Sequence, residues 1–149
     1  MDQHRVGVAL FGALLSFVLA GHPGVASASS EIKGAAILDH ACGKVSVKQM
    51  GLVYAGKMDD ANKLGTAEMQ QQWKSMPASD RTMMSGMMKA MAQPEAQYAS
   101  DIRANGVLVV DGTSAVLTVK KTTKDANGTS TSTTTQNFKL SGNDCLISR

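Results

Sequence analysis

Aromatic residues are few in this chain, with one tryptophan, two tyrosines and three phenylalanines in 149 positions. Proteins that hold single-stranded nucleic acid stack bases on aromatic rings and follow the backbone with dense positive charge. Here the net charge of +3 comes from acids and bases interspersed along the chain, which serves solubility. No nucleic-acid partner is expected. Histidine is equally scarce, at three residues, and no nucleophile-elbow sequence accompanies any of them. Paired histidine ligands and His-Met repeats are also missing. No apolar run reaches the roughly 20 residues that a membrane-spanning helix needs.

The longest apolar run covers residues 6–20 and carries Leu10, Phe11, Leu14, Leu15, Phe17, Val18 and Leu19 without a charge. Arg5 and His4 precede it. Gly21, Pro23 and Gly24 interrupt it, and Ala26-Ser27-Ala28 supplies the small residues that a signal peptidase accepts. A basic start, an apolar middle and a small-residue exit form the secretory pattern. Residues 1–28 therefore read as a cleaved signal peptide, and residues 29–149 as a single mature domain, periplasmic or secreted. A lipid anchor would need a cysteine at the cleavage point. The first is Cys42, far from the apolar run and behind the charged Asp39, so no stable membrane anchor is expected after cleavage.

Removal of the leader leaves about 120 residues, enough for one domain that buries about two thirds of its unfolded surface. It also leaves two cysteines, Cys42 and Cys145. An even count in an oxidising compartment favours a disulfide between them. The alternatives are two buried thiols, or a thiol in a metal site.

Helical signals come first along the mature chain. Ser46 and Gln49 have the spacing of a capping box, with Met50, Val53 and Tyr54 at helical spacing behind them. A short second helix over residues 57–64 is expected to start at Asp59 or Asp60. Thr66 opens a third, carrying Met69, Trp73 and Met76, which Pro77 ends. Ser79-Asp80-Arg81-Thr82 opens a fourth, which closes before Pro94. Strand signals follow. Tyr98, Ser100 and Ile102 alternate, Asn105-Gly106 has the form of a tight turn, and residues 107–110 are β-branched or apolar. Ala115, Leu117 and Val119 form one face of a half-buried strand. After the turn at Asn127-Gly128, the threonine-rich residues 129–140 read as a solvated strand. Helices followed by a meander indicate an α+β fold, with N-terminal helices on a curved antiparallel sheet of about four strands.

Three stretches carry a resemblance. They are Leu52-Val53-Tyr54-Ala55-Gly56-Lys57-Met58-Asp59-Asp60-Ala61, Gly112-Thr113-Ser114-Ala115-Val116-Leu117-Thr118-Val119 and Ser141-Gly142-Asn143-Asp144-Cys145-Leu146-Ile147. Together they resemble the nuclear-transport-factor-2-like superfamily, in particular its small exported bacterial members of unknown function. The resemblance implies a cone-like fold whose sheet wraps a helix and can enclose a pocket. Cys145 stands where that family commonly has a tryptophan, and a bond to Cys42 would replace the lost anchor. The scaffold serves enzymes, binders and inert modules alike, so it implies no single activity.

Candidate chemistry is sparse. After leader removal His40 is the remaining histidine, and its neighbour Asp39 reads as a solvated carboxylate. Asp101, Asp111 and Asp144 sit in or beside turns, where aspartate caps backbone groups. No catalytic residue and no cofactor is assigned, and the chain is expected not to be an enzyme. Methionine is the unusual feature, at ten residues. Met83, Met84, Met87, Met88 and Met91 crowd one helix, with positions 84, 87, 88 and 91 on one face. Three readings stand. The stripe is flexible core filling under the sheet, or it is a surface for a small apolar ligand or protein partner involving Met84, Met87, Met88, Met91 and Trp73. In the third, thioethers with His40, Met83 and Met87 form a copper site in an exported protein.

Overall fold

A computed structural model describes residues 28–149. The expected leader, with His4 and His22, lies outside the described residues except for its last position, Ala28. A short strand, β1 (Ser30–Lys33), precedes the helices α1 (Ala36–Asp39), α2 (Ala41–Tyr54), α3 (Met58–Asn62), α4 (Ala67–Ser75), α5 (Ala78–Met91) and α6 (Glu95–Asn105). The strands β2 (Gly106–Asp111), β3 (Ser114–Asp125), β4 (Gly128–Ser141) and β5 (Asp144–Ser148) follow. The fold is α+β, as expected, but the antiparallel sheet has five strands in the order β1-β2-β3-β4-β5. The additional strand is the first. Ile32 pairs with Leu108, so a short mixed stretch with little periodicity becomes an edge strand once β2 offers it a partner.

Two further expectations change. Tyr98 and Ile102 lie on helix α6 and not on a strand, and both are buried. Positions 98, 100 and 102 alternate, but 98 and 102 are also four apart, the spacing of one helix face. Asn105-Gly106 accordingly joins α6 to β2 without a hairpin turn. A Cβ on Gly106 would stand 2.6 Å from the Ile102 carbonyl oxygen, so glycine is required by close approach. Helix α2 begins at Ala41 rather than at Ser46. His40 caps it, its Nδ1 accepting the Cys42 N–H at 3.2 Å, and Ser46 lies buried one turn further on.

The main core fills the space between α1, α2, α6 and the sheet. Ile37, Ile102, Leu108, Leu117 and Phe138 are sealed there, along with Tyr98, Val119 and Ile147. Ala115, Leu117 and Val119 supply the inward face of β3, as their alternation predicts. Helix α1 lies so close to α2 that a Cβ on Gly43 would come within 1.8 Å of the Ile37 carbonyl oxygen. Cys42 and Cys145 form a disulfide across this core, with Cα atoms 5.0 Å apart and a sequence separation of 103. Residues 64–66 lie along β5, where the Thr66 and Ile147 N–H groups donate to Ile147 and Leu64 carbonyls at 2.9 and 3.0 Å.

The β3–β4 hairpin outruns the sheet. Beyond Val119, β3 pairs only with β4, and β4 meets β5 only from Asn137 onward. Every residue from 120 to 135 is exposed. The threonine-rich strand is therefore solvated, as its composition suggests, but on both faces. A two-stranded ribbon of this kind adds little stability in water. Lys121 ties its base to the body through Gln93 Oε1 at 3.2 Å and Asp101 at 3.9 Å.

Two outcomes follow from this arrangement. Replacing residues 123–130 by an Asn-Gly turn leaves the melting temperature within about 2 °C in calorimetry, because no core contact is lost and the turn suits a two-residue hairpin. Replacing both cysteines by alanine lowers the unfolding free energy in urea by about 4 kcal/mol, the chain-entropy value for a loop of about 100 residues.

Candidate functional site

Four polar side chains join the helices to the sheet. Tyr98 Oη lies 3.2 Å from Ser46 Oγ, and the Ser46 hydroxyl donates to Gln136 Oε1 on β4. The Gln136 amide in turn donates to Gln49 Oε1 on α2. With its own proton committed to Gln136, Ser46 accepts from Tyr98. The relay thus runs from α6 through α2 to β4 and back to α2. It satisfies groups that would each cost about 1–3 kcal/mol if buried alone. Ser46 faces an amide oxygen rather than a base, so the contact positions the sheet against the helices. Burial pushes the Tyr98 phenol above its ordinary value, with the Ser46 hydrogen bond partly opposing that shift.

The sharper feature lies on the other side of α2. Val53, Met58, Ala61 and Trp73 form a second buried cluster, with Leu52, Met76, Met88 and Ala92 packed on it. Thr66 starts α4 as expected, its Oγ1 accepting the Met69 N–H at 3.4 Å. That start carries Trp73 inward, where its Nε1 donates to Asp59 Oδ1 at 2.8 Å. Asp59 therefore orients the indole. Helix α5 rests on this cluster through Arg81, Ser85, Met88 and Ala92, which are half-buried at i, i+4, i+7 and i+11. No residue of α5 is fully buried.

This geometry divides the methionines. Met83, Met87 and Met91 point outward, at 64%, 61% and 76% exposure, and Met84 stands at the edge with 40%. Met88 faces inward. The reading of these residues as core filling under the sheet is thus corrected: the helix lies against α2 and its companions, away from the sheet. The reason is the inward stripe through Arg81 and Ser85, which turns the opposite, methionine-bearing arc to solvent. The expected shared face of 84, 87, 88 and 91 is split by the same rotation.

Met84 and Met88 also line a cleft of about 140 Å³, together with Met58, Met69, Met76 and Trp73. Trp73, expected as a ligand-binding residue, is buried and shows the cleft part of its ring. His40 is not brought to the methionines. It caps the start of α2, whereas the part of that helix reaching the cleft begins at Gln49, about 13 Å further along the axis at 1.5 Å per residue. Cys42 is committed to the disulfide and does not supply a thiolate. A larger groove of about 450 Å³ runs between the start of α4 and strands β4 and β5. It is open and of mixed polarity, with Glu68, Lys139 and Arg149 among its lining residues. The main core is filled by its own side chains, so the methionine cleft lies outside the sheet-and-helix interior that the family resemblance suggested as a pocket.

Sequence reasoning found Met84, Met88 and Trp73 but missed Met58, Met69, Met76 and Asn62 as cleft residues, and Ser46, Tyr98, Gln49 and Gln136 as relay members. Residues 46 and 136 are far apart in the chain, and no local pattern joins them. Among the described residues no helix is long and apolar enough to cross a membrane, and no group of three or more His, Cys, Asp or Glu side chains could hold a metal ion. Compared with protein-family models, curated proteins and solved structures, the chain matches none.

The raised Tyr98 value has a defined sign. Above about pH 10, the ordinary tyrosine value, the folded state keeps a proton that the unfolded state loses, so stability falls as pH rises toward the folded value. Tyr98→Phe costs about 1 kcal/mol at neutral pH through the lost hydrogen bond. Urea titrations show a shallower decline above about pH 10 for this variant than for the parent chain.

Proposed function

We propose that the mature chain is an exported, non-enzymatic module that binds a protein partner through the outward face of α5. The exposure of Met83, Met87 and Met91 is the observation that carries this reading. Successive helical positions are 100° apart, so these three and Met84 fall within an arc of about 100°. Surface apolar side chains are ordinary when scattered, but a contiguous group rimmed by charge marks an interaction site. Asp80, one turn before Met83 and Met84, bounds the arc at its N-terminal end. Methionine suits this use because its unbranched, polarizable side chain adapts to partners of different shape.

Size favours a protein over a small ligand. The cleft beside the arc, at about 140 Å³, is below the roughly 300–1,000 Å³ typical of ligand pockets. It accommodates one inserted side chain. Burying a methionine yields about 1.5–3 kcal/mol, so three supply on the order of 5 kcal/mol before the cost of association. The arc alone supports weak, exchangeable binding. An amphipathic segment that lays its apolar face on α5 is the occupant that fits.

Export is part of the same proposal. The leader pattern supports it, and so does the Cys42–Cys145 disulfide, which fits an oxidising compartment.

A photoreactive methionine analogue placed at position 87 tests the reading in intact cells of the native host. One discrete adduct is expected from position 87, and none from the same analogue at Thr122 on the exposed ribbon. Changing Met83 and Met91 to Gln reduces that adduct at least about tenfold, the loss expected for 1.4 kcal/mol or more of apolar burial. Absence of a discrete adduct, or an adduct indifferent to both changes, overturns the proposal.

A further inference from the structure

We propose that the cleft between α3, α4 and α5 is a site for a soft monovalent metal ion, Cu(I) or Ag(I), held by methionine thioethers. Met58 comes from α3, Met69 from α4, Met76 from the end of α4, and Met84 and Met88 from α5. Five methionines from three helices and a helix end thus line one cleft. Its other apolar lining residues are Ala61 and Trp73, and it contains no leucine, isoleucine or valine. The core beneath the sheet has the opposite composition. Its fully enclosed members are Ile, Leu, Val, Phe, Tyr, Ala and the disulfide, and methionine reaches it only at the margin, as Met50 and Met69. Branched aliphatic side chains fill space well, and this chain uses them where packing is the task. Methionine is concentrated instead around the second cluster and its cleft, with Met58 buried and Met69, Met76 and Met88 half-buried.

A thioether is neutral and polarizable, and it selects Cu(I) over hard cations. It carries no proton, so binding of the reduced ion releases none. The remaining polar lining suits this choice. Gln49, Asn62 and Gln72 are neutral amides, and no Asp or Glu side chain lines the cleft to favour Ca²⁺, Mg²⁺ or Zn²⁺. Arg149 is the one lining cation. It is exposed, so water and salt screen its charge. Trp73, oriented by Asp59, adds an aromatic ring whose face attracts a cation. The site excludes His40, Met83 and Met87 and shares only Met84 with the outward arc. It neither rests on the partner-binding reading nor requires it.

Leucine separates the two ideas, because it keeps the volume and apolarity of methionine but has no sulfur. The disulfide-bonded mature chain is titrated with Ag(I), and with Cu(I) against a competing chelator, and stoichiometry is read by native mass spectrometry. One ion per chain is expected, with no retention of Zn(II) or Ca(II). The Met84→Leu/Met88→Leu variant weakens binding at least tenfold while keeping its melting temperature. The Met83→Leu/Met91→Leu variant keeps the parent affinity. Binding no stronger than the chelator background overturns the site. So does equal weakening by both pairs, which would mark loose association with exposed sulfur. Loss of the crosslink with metal binding intact would fail the partner reading alone.

Discussion

The Cys42–Cys145 disulfide joins the first turn of α2 to the last strand, and the rest of the arrangement is organised around that link. Both residues are buried, so the bond lies within the packed interior and not at its margin. In the chain-entropy account, a closure of this length removes about 4–5 kcal/mol of unfolded-state freedom. A domain of this size has a net stability of only about 5–15 kcal/mol. The bond also holds β5 against α2, which lets residues 64–66 lie along the outer edge of that strand. An otherwise open sheet edge is covered in consequence, limiting edge-to-edge association. Gly43, next to Cys42, serves the same junction by letting α1 cross α2 at backbone distance.

Helix α2 is the wall between two differently built interiors. Its sheet-facing side contributes Cys42 to the aliphatic core and Ser46 to the polar relay. Its far end contributes Val53 to the cluster around Met58 and Trp73. The first interior is sealed by branched side chains, a disulfide and a satisfied hydrogen-bond chain, which favours one rigid arrangement. The second is smaller and richer in methionine, and it is closed by a helix with no fully buried residue. Rigidity is thus placed where the chain is stapled, and adaptability where sulfur reaches the surface.

Legibility in the sequence followed the range of the interaction. Ala115, Leu117 and Val119 announced an inward strand face, because alternation is a property of neighbours in sequence. Thr66 announced the start of α4, and Asn127-Gly128 the turn between β3 and β4, for the same reason. Tyr98 and Ile102 were ambiguous, since positions four apart also satisfy alternation. Only packing against α2 and the sheet selected the helix. Ser46 had the local form of a helix cap, but Cys42 had to lie within the helix to reach Cys145. The helix therefore starts earlier, and the hydroxyl turns inward to Tyr98 and Gln136.

The methionines show the division most clearly. Composition and spacing determined by themselves that one helix carries five methionines, that two cysteines stand far apart, and that helices precede a meander. Tertiary structure alone decided which methionines face solvent, because the rotation of α5 is set by the residues it presses against Val53 and Trp73. It alone gathered Met58, Met69 and Met76 beside Met84 and Met88, and it left His40 at the distant end of α2. Helical periodicity defines relative angles around one axis. The absolute direction of a face depends on neighbours that the chain reaches only after folding.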